Sequence, residues 1–271
     1  MQQEPLFSVR DLRVSFTRQG RPFEAVRGIS LHVDHGEVLG IVGESGSGKS
    51  VGMLAALGLH PKTATVSGSA KFKGRELVGM PRSELRTLRG SRIAMIFQDP
   101  LSSLNPVMTV GAQIAETIRL HNAGVSKRAA MERAAELLSL VAIPQPDRRI
   151  HQFPHEFSGG MRQRVMIAMA VANDPDLLIA DEPTTALDVT VQAQIMDVLT
   201  DLRRRLNLGL ILITHDLGVL AGHADRVAVV YSGEVVEQAG VDDLFERPAH
   251  PYTRGLIASI PNMAEEKERL F

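Results

Sequence analysis

A glycine-rich segment at residues 43–50, GESGSGKS, has the residue types and spacing of a phosphate-binding loop, G-x-x-x-x-G-K-[ST]. Its glycines let backbone N–H groups converge on phosphate oxygens, and a helix starting there adds the positive end of its dipole. Lys49 offers a cation to the β- and γ-phosphates, and Ser50 offers a hydroxyl to Mg²⁺. The segment predicts nucleotide binding rather than a flexible Gly/Ser turn. The expected contact residues are Gly43, Glu44, Ser45, Gly46, Ser47, Gly48, Lys49, Ser50 and Val51.

Two adjacent carboxylates, Asp181 and Glu182, end a second apolar stretch, DLLIADEP at 176–183. Ligands of open parallel sheets bind at the carboxyl ends of the strands, where this stretch places the pair. Asp181 is suited to hold Mg²⁺ through water, and Glu182 to accept a proton from an attacking water molecule. Taken alone, the pair also fits a solvated strand end or a helix cap.

His215 and Gln98 end two further strand-like stretches, LGLILITH and IAMIFQ. An imidazole at the first position can contact a γ-phosphate or orient water. An amide at the second can bridge the water of a metal ion and a moving loop. Each is weak by itself, since the chain has nine histidines and most such residues are merely solvated.

The hydrophobic pattern around these residues predicts alternating strands and helices. Alternation or short apolar runs predict strands at 6–17, 25–33, 37–42, 65–75, 93–98, 176–181, 208–215 and 226–238, with a loop at Gly20 and Pro22 and a turn at Ser232 and Gly233. Helical periodicity predicts helices at 49–59 (ended by Pro61), 82–90, within 110–172 and at 189–206. The pattern is typical of an α/β core with a β-rich N-terminal face and an inserted helical block.

Composition excludes several classes of protein. The 271 residues carry 30 Lys and Arg against 31 Asp and Glu, so the chain lacks the basic surplus of a protein built to grip nucleic acid. With no cysteine, it has neither disulfides nor thiolate metal sites. Its apolar stretches fall short of the ~20 residues that a membrane span needs, so we expect no spanning segment.

Taken together, the motifs resemble the nucleotide-binding subunit of ABC transporters over essentially the whole chain. EFSGGMRQR at 156–164 precedes the acidic pair and TTALD at 184–188 follows it, in order with the phosphate loop, Gln98 and His215. The resemblance implies a P-loop NTPase fold of the ABC ATPase type, with a RecA-like core sheet, an N-terminal antiparallel β subdomain and an inserted α-helical subdomain. The implied limits are 1–109 for the β subdomain and first part of the core, 110–172 for the helical subdomain, 173–245 for the second part of the core and 246–271 for a C-terminal tail.

The resemblance also implies roles in binding ATP and Mg²⁺. Ser158, Gly159 and Gly160 resemble the signature loop, which contacts the γ-phosphate of ATP bound to the opposite subunit. Asp188 resembles the D-loop carboxylate, and Phe16 falls where the family places an aromatic ring on adenine, although Phe23 is nearby and a strand Phe is more often core. The implied catalytic residues are Lys49, Gln98, Glu182 and His215, and the implied metal-binding residues are Ser50, Gln98 and Asp181.

One departure from the usual signature motif indicates a particular group within the family. The family usually has Gln after the two signature glycines, where this chain has Met161. With the runs at 98–111 and 246–256, this variant resembles an ATPase subunit of dipeptide/oligopeptide importers, a group that also serves nickel and other small solutes. The segment HPYT at 250–253 is also typical of this group, but its role cannot be inferred from the sequence.

This resemblance implies an ATPase that energises solute uptake from the cytoplasmic face of the inner membrane. The implied partners are a second ATPase subunit, which in this group is typically a different chain, two transmembrane permeases and, indirectly, an extracytoplasmic solute-binding protein, with no nucleic acid. The sequence leaves open the solute and whether the working pair is this chain twice.

Three alternatives fit less well. A soluble ABC ATPase acting on DNA or ribosomes carries long coiled-coil insertions or two fused ATPase units, and neither pattern is present. A non-hydrolysing subunit with a degenerate site conflicts with the intact loop and acidic pair. A P-loop kinase leaves residues 157–161 unexplained.

Overall fold

The computed structural model describes residues 4–18, 21–99, 103–185 and 187–260. The chain forms two compact units, a first unit of Met1–Met80 with Ile211–Phe271 and a second unit of Pro81–Leu210. The subdomain limits given above stay a prediction.

The described strands and helices alternate along the chain. The strands are β1 (Phe7–Arg18), β2 (Arg21–Val33), β3 (Val38–Val42), β4 (Ala64–Phe72), β5 (Arg75–Glu76), β6 (Ile93–Ile96), β7 (Leu177–Asp181), β8 (Gly209–Thr214), β9 (Arg226–Tyr231) and β10 (Glu234–Gly240). The helices are α1 (Lys49–Ala56), α2 (Arg82–Leu88), α3 (Val110–His121), α4 (Lys127–Leu140), α5 (Pro146–Arg149), α6 (Gly159–Ala170), α7 (Val189–Leu206), α8 (Leu217–Leu220), α9 (Val241–Glu246) and α10 (Pro251–Ala258), and Pro154–Glu156 form a 3-10 turn. None of the described helices is both long and apolar enough to cross a bilayer.

An antiparallel sheet in the first unit has the strand order β2-β1-β4-β5. Strict alternation along β1 would place Asp11 in the core, but a bulge with Asp11 at φ 44° shifts the register between Val9 and Leu12. One extra residue in a strand restores the inward direction of the next apolar side chain. Leu12 and Val14 are therefore both fully buried.

The remaining strands of the first unit follow the order β10-β9-β3-β8, with β3 parallel to β9 and β9 antiparallel to β10. All five residues of β3 are buried, as the apolar run at 37–42 predicts. Ser232 and Gly233 connect β9 to β10 with φ values of 48° and 85°, which fits a type I′ turn and confirms the predicted reversal.

In the second unit, β6 and β7 run parallel, with Ile93 opposite Leu177 and Ile96 opposite Ala180. An ion pair of 2.7 Å between Arg92 and Asp176 joins the residues just before the two strands. The helical periodicity within 110–172 corresponds to helices α3, α4 and α6, which bury apolar side chains including Ile114, Leu137 and Ile167.

Two predicted boundaries are wrong. Helix α1 ends at Ala56 rather than near residue 59, because Gly58 takes φ 65° and the Leu59 N–H bonds to the Leu54 carbonyl at 2.7 Å. This is the glycine-dependent Schellman ending, so Pro61 is not what stops the helix.

The second error concerns the loop predicted between the first two strands. Strand β2 begins at Arg21, so Pro22 lies within a strand, and Gly20 is outside the described residues. Because β2 is an edge strand, it tolerates a residue that cannot donate a ladder hydrogen bond.

Candidate functional site

The predicted phosphate loop connects β3 to α1 in the first unit, the strand-to-helix context that the motif requires. Main-chain atoms crowd two of its glycines. A Cβ on Gly43 would lie 2.1 Å from the carbonyl oxygen of Val230, and one on Gly48 would lie 2.4 Å from that of Ala25. Gly48 also has φ 100°, which disfavours other residues. The neighbouring backbone therefore requires both glycines.

Lys49 is 5 % exposed and turns its ammonium group into the loop. Its Nζ donates to the carbonyl oxygens of Gly43 at 2.6 Å and Glu44 at 2.8 Å, and it lies 3.5 Å from the Ser47 Oγ. Because these acceptors span the first five residues of the loop, the cation holds the loop in a closed curve. A positive charge beside converging N–H groups is suited to phosphate oxygens.

Two more hydrogen bonds reach the loop from distant parts of the first unit. The Gly233 N–H, in the β9–β10 turn, donates to the Ser47 carbonyl at 2.9 Å. The Glu44 N–H donates to the hydroxyl of Tyr252, in α10, at 3.0 Å. The loop is thus fixed at its beginning and near its end by residues about 200 positions further along the chain.

The acidic pair lies in the second unit, where β7 ends. Asp181 is the last residue of β7 and is 5 % exposed. Glu182 follows with φ 48° and accepts hydrogen bonds from the Gln98 Nε2 at 3.0 Å and the Thr185 Oγ1 at 2.7 Å. The structure thus brings together Gln98 and Glu182, two residues 84 positions apart that the motifs had singled out separately.

The signature-like residues and Asp188 lie at the starts of two helices of the second unit. Ser158 caps α6, its hydroxyl accepting from the Met161 N–H at 3.4 Å, and Asp188 caps α7, its carboxylate accepting from the Val191 N–H at 2.9 Å. A Cβ on Gly160 would lie 2.4 Å from Val191 Cγ1, so the close approach of α6 to α7 requires this glycine. Among the described residues, a Cβ on Gly159 would meet Leu187 alone, at the ordinary contact distance of 3.7 Å.

Phe16 and His215 both belong to the first unit. Phe16 is half-buried near the end of β1, opposite Phe23 on one side and Ala64 on the other. His215 is exposed directly after β8, where the next residue, Asp216, caps α8 by accepting from the Gly218 N–H at 2.8 Å. Their roles toward adenine and the γ-phosphate stay predictions.

The donor set suits Mg²⁺. The predicted ligands Ser50, Gln98 and Asp181 offer a hydroxyl, an amide and a carboxylate, and Mg²⁺ prefers oxygen ligands. The Gln98 NH₂ group is turned to Glu182, so its amide oxygen remains the acceptor end. Within the described ranges, no three His, Asp or Glu side chains cluster as a protein-only metal cage would require. Mg²⁺ in nucleotide sites is held by one or two carboxylates together with substrate phosphates.

Two residues with roles in this geometry were missed as site residues by the sequence reasoning. The Thr185 hydroxyl holds Glu182, and its place in the TTALD run could have indicated it. Tyr252 belongs to the HPYT segment, which was singled out without a mechanism, and no local pattern predicts a contact across 208 positions.

Comparisons with known proteins agree with this geometry. Residues 26–185, more than half of the chain, match the family model described as ABC transporter. Residues 236–270 match the model described as Oligopeptide/dipeptide transporter, C-terminal region. The chain therefore belongs to the ABC transporter family, and to its oligopeptide/dipeptide group, which confirms the resemblance drawn from the motifs.

Similar proteins support the same assignment. The chain is 57 % identical over 259 residues to the oligopeptide transport ATP-binding protein OppD of Mycobacterium tuberculosis, covering 96 % of this chain and 42 % of that protein. It is 54 % identical over 265 residues to the OppD of Bacillus subtilis, covering 97 % of this chain and 74 % of that protein. The chain thus spans less than half the length of the mycobacterial relative.

Solved structures confirm the predicted fold class. A dimeric structure of a post-hydrolysis state of the ATP-binding cassette MJ0796 bound to ADP and Pi superposes with a TM-score of 0.78 at 27 % identity, covering 87 % of this chain and 98 % of that one. The fold is that of a P-loop ABC ATPase.

Proposed function

We propose that this chain is the ATP-hydrolysing subunit of an importer that takes up oligopeptides or dipeptides. Two observations, each within one unit, carry the proposal: the phosphate loop of the first unit is fixed by main-chain contacts, and the Glu182 carboxylate of the second unit is held by Gln98 and Thr185. The names of the relatives and the match at residues 236–270 support peptides as the solute class.

In this proposal, the loop N–H groups and Lys49 bind the β- and γ-phosphates of ATP. The ring of Phe16 stacks on adenine. Ser50, Gln98 and Asp181 would hold Mg²⁺, which would supply neutralisation of the charge on the phosphate oxygens.

Hydrolysis in this proposal depends on Glu182 as general base. Its carboxylate accepts a proton from water as the water oxygen bonds to the γ-phosphorus and the bond to the β–γ bridging oxygen breaks. Gln98 and Thr185 keep the acceptor oxygen oriented, and positioning of this kind lowers the barrier without new chemistry. His215 contacts the γ-phosphate and stabilises its developing charge.

The partners follow from the signature-like residues. We propose that Ser158, Gly159, Gly160 and Asp188 contact ATP bound to a second ATPase subunit, a different chain, so that ATP stabilises the closed pair through differential affinity. The predicted helical subdomain at 110–172 transmits closure to two transmembrane permeases, which an extracytoplasmic binding protein supplies with solute. The chain then works as a peripheral protein at the cytoplasmic face of the inner membrane.

The variant Glu182→Gln tests the catalytic assignment. It should retain binding of Mg-ATP, measured by titration calorimetry, yet turn over at least about 10²-fold more slowly, since a general base contributes about 10²–10⁴-fold. Glu136→Gln is the matched control, because Glu136 is an exposed carboxylate on α4 paired with Arg133 at 3.0 Å. Normal turnover in Glu182→Gln would remove Glu182 from this role.

The transport assignment needs the assembled complex. Co-expressed with candidate permeases and a second ATPase subunit, the chain should purify from membranes as part of their complex. In liposomes with the solute-binding protein, di- or oligopeptides should stimulate ATP hydrolysis, and nickel should not. Stimulation by nickel alone would assign the chain to the other solute class of the group.

A further inference from the structure

Residues 249–254, which we call the C-terminal hook, are held against β10 by one carboxylate. Glu237 accepts from the N–H groups of Ala249 at 2.7 Å and His250 at 3.0 Å. Burial alone would raise the pKa of Glu237, but the hydrogen bonds from the Ala249 and His250 N–H groups lower it. Because the ionised form makes these bonds, the hook is anchored as long as Glu237 carries its charge.

The anchored hook presents Tyr252 to the phosphate loop. His250 accepts from the Tyr252 N–H at 3.2 Å and so fixes the first turn of α10. The Tyr252 ring packs against Tyr231, with centroids 4.5 Å apart and planes at 45°. Burial raises the pKa of Tyr252, so the phenol stays uncharged near neutral pH and does not repel a phosphate. Its oxygen accepts from the Glu44 N–H at 3.0 Å.

This contact matters because of where it falls in the loop. Glu44 begins the turn closed by the bond from the Ser47 N–H to the Glu44 carbonyl at 3.2 Å. The β9–β10 turn fixes the far side of the same turn through Gly233 and Ser47. Without the Tyr252 hydroxyl, the near side of this turn would lose a restraint, and the loop would sample further conformations.

We propose that Tyr252 is a positioning residue that holds the phosphate loop in its nucleotide-binding conformation, so that the C-terminal hook sets the affinity for ATP. The inference rests on the proposed function, since it assumes that the loop binds ATP. It gives the region matched at residues 236–270 a task inside the ATPase unit itself. When only part of a population has the binding conformation, the apparent affinity falls by that fraction.

The test compares two hydroxyl deletions within one aromatic pair. Tyr252→Phe keeps the ring and removes the acceptor of the Glu44 N–H, whereas Tyr231→Phe removes the hydroxyl of the neighbouring ring. In the full chain, Tyr252→Phe should bind Mg-ATP about three- to tenfold more weakly, the range expected for loss of one hydrogen bond. The KM for ATP should rise by the same factor, while kcat at saturating ATP stays within about twofold. Tyr231→Phe should match the wild type.

A second readout follows the loop directly and needs no nucleotide. By NMR hydrogen exchange, the amides of Glu44 and Ser47 should exchange several-fold faster in Tyr252→Phe than in the wild type, while amides of β3 stay unchanged. A purely structural role of Tyr252 would instead lower the unfolding temperature and leave KM and loop exchange unaltered, which would overturn the inference. If the wild type fails to bind Mg-ATP, the proposed function fails, and the exchange data still decide whether Tyr252 holds the loop.

Discussion

The glycines of the phosphate loop differ in what a methyl group would meet, which gives a sharp prediction. A Cβ on Gly43 lies 2.1 Å from the Val230 carbonyl oxygen, whereas a Cβ on Gly46 has no atom of the described residues within 4 Å. Gly46→Ala should therefore cost only the conformational penalty of its left-handed backbone (φ 80°), about 1–2 kcal/mol.

Gly43→Ala must also move main-chain atoms apart by roughly 1 Å, and overpacking of this kind costs about 1–3 kcal/mol more. We expect Gly43→Ala to lower the free energy of unfolding by about 3 kcal/mol or more, which exceeds the loss in Gly46→Ala by about 1–3 kcal/mol. Urea denaturation without nucleotide measures both, with the midpoint compared at unchanged slope. Equal midpoints for the two variants would refute the steric account of the loop.

Two further predictions concern the contacts around the proposed base and the hook. Thr185→Val should lower kcat about three- to tenfold at unchanged KM for ATP, because Glu182 loses a hydrogen bond of 2.7 Å. Thr185→Ser keeps a hydroxyl and should have the kcat of the wild type. Equally slow Val and Ser variants would contradict the role of the hydroxyl. Glu237→Gln should lower stability near neutral pH. Because the pKa of Glu237 is lowered on folding, its contribution is present above the ordinary value of 4.5 and is lost as pH falls through the lower folded value. The difference between wild-type and variant urea midpoints should therefore shrink in acid, and a difference constant with pH would argue against an ionised anchor.

Local patterns were sufficient to predict the elements that carry the chemistry. The loop at 43–50, the apolar β3 and the carboxylates after β7 each follow from a few adjacent residues, because glycine geometry and buried strands leave short signatures. The order of the motifs was sufficient to predict the family, and the comparisons confirmed that prediction. Two errors arose where the tertiary structure decided the outcome. Gly58 ends α1 earlier than the proline signal predicted, and the proline read as a loop residue lies within the edge strand β2.

Contacts between distant segments could not be predicted in this way. The bonds from Gln98 to Glu182 and from Glu44 to Tyr252 join residues 84 and 208 positions apart, and neither leaves a periodicity in the chain. The bulge at Asp11 also depends on the neighbouring strand β4. A Cβ added at Gly68 would lie 2.2 Å from the Asp11 carbonyl oxygen, so the bulge requires glycine at that position. Such features depend on tertiary packing, which overrides local preference.

The neighbours that confine the loop near Gly43 and Gly48 use carbonyl oxygens and peptide nitrogens rather than side chains, with Ala25, Val230 and Gly233 all contributing main-chain atoms. Exchange of the half-buried side chain at position 25 therefore leaves the carbonyl group there in place, whereas Val230 is 2 % exposed and its side chain is also part of the core. A single-residue insertion in the 231–233 reversal is different, because it displaces the peptide groups themselves. Tags, labels and circular-permutation points should therefore be placed outside the 231–233 reversal.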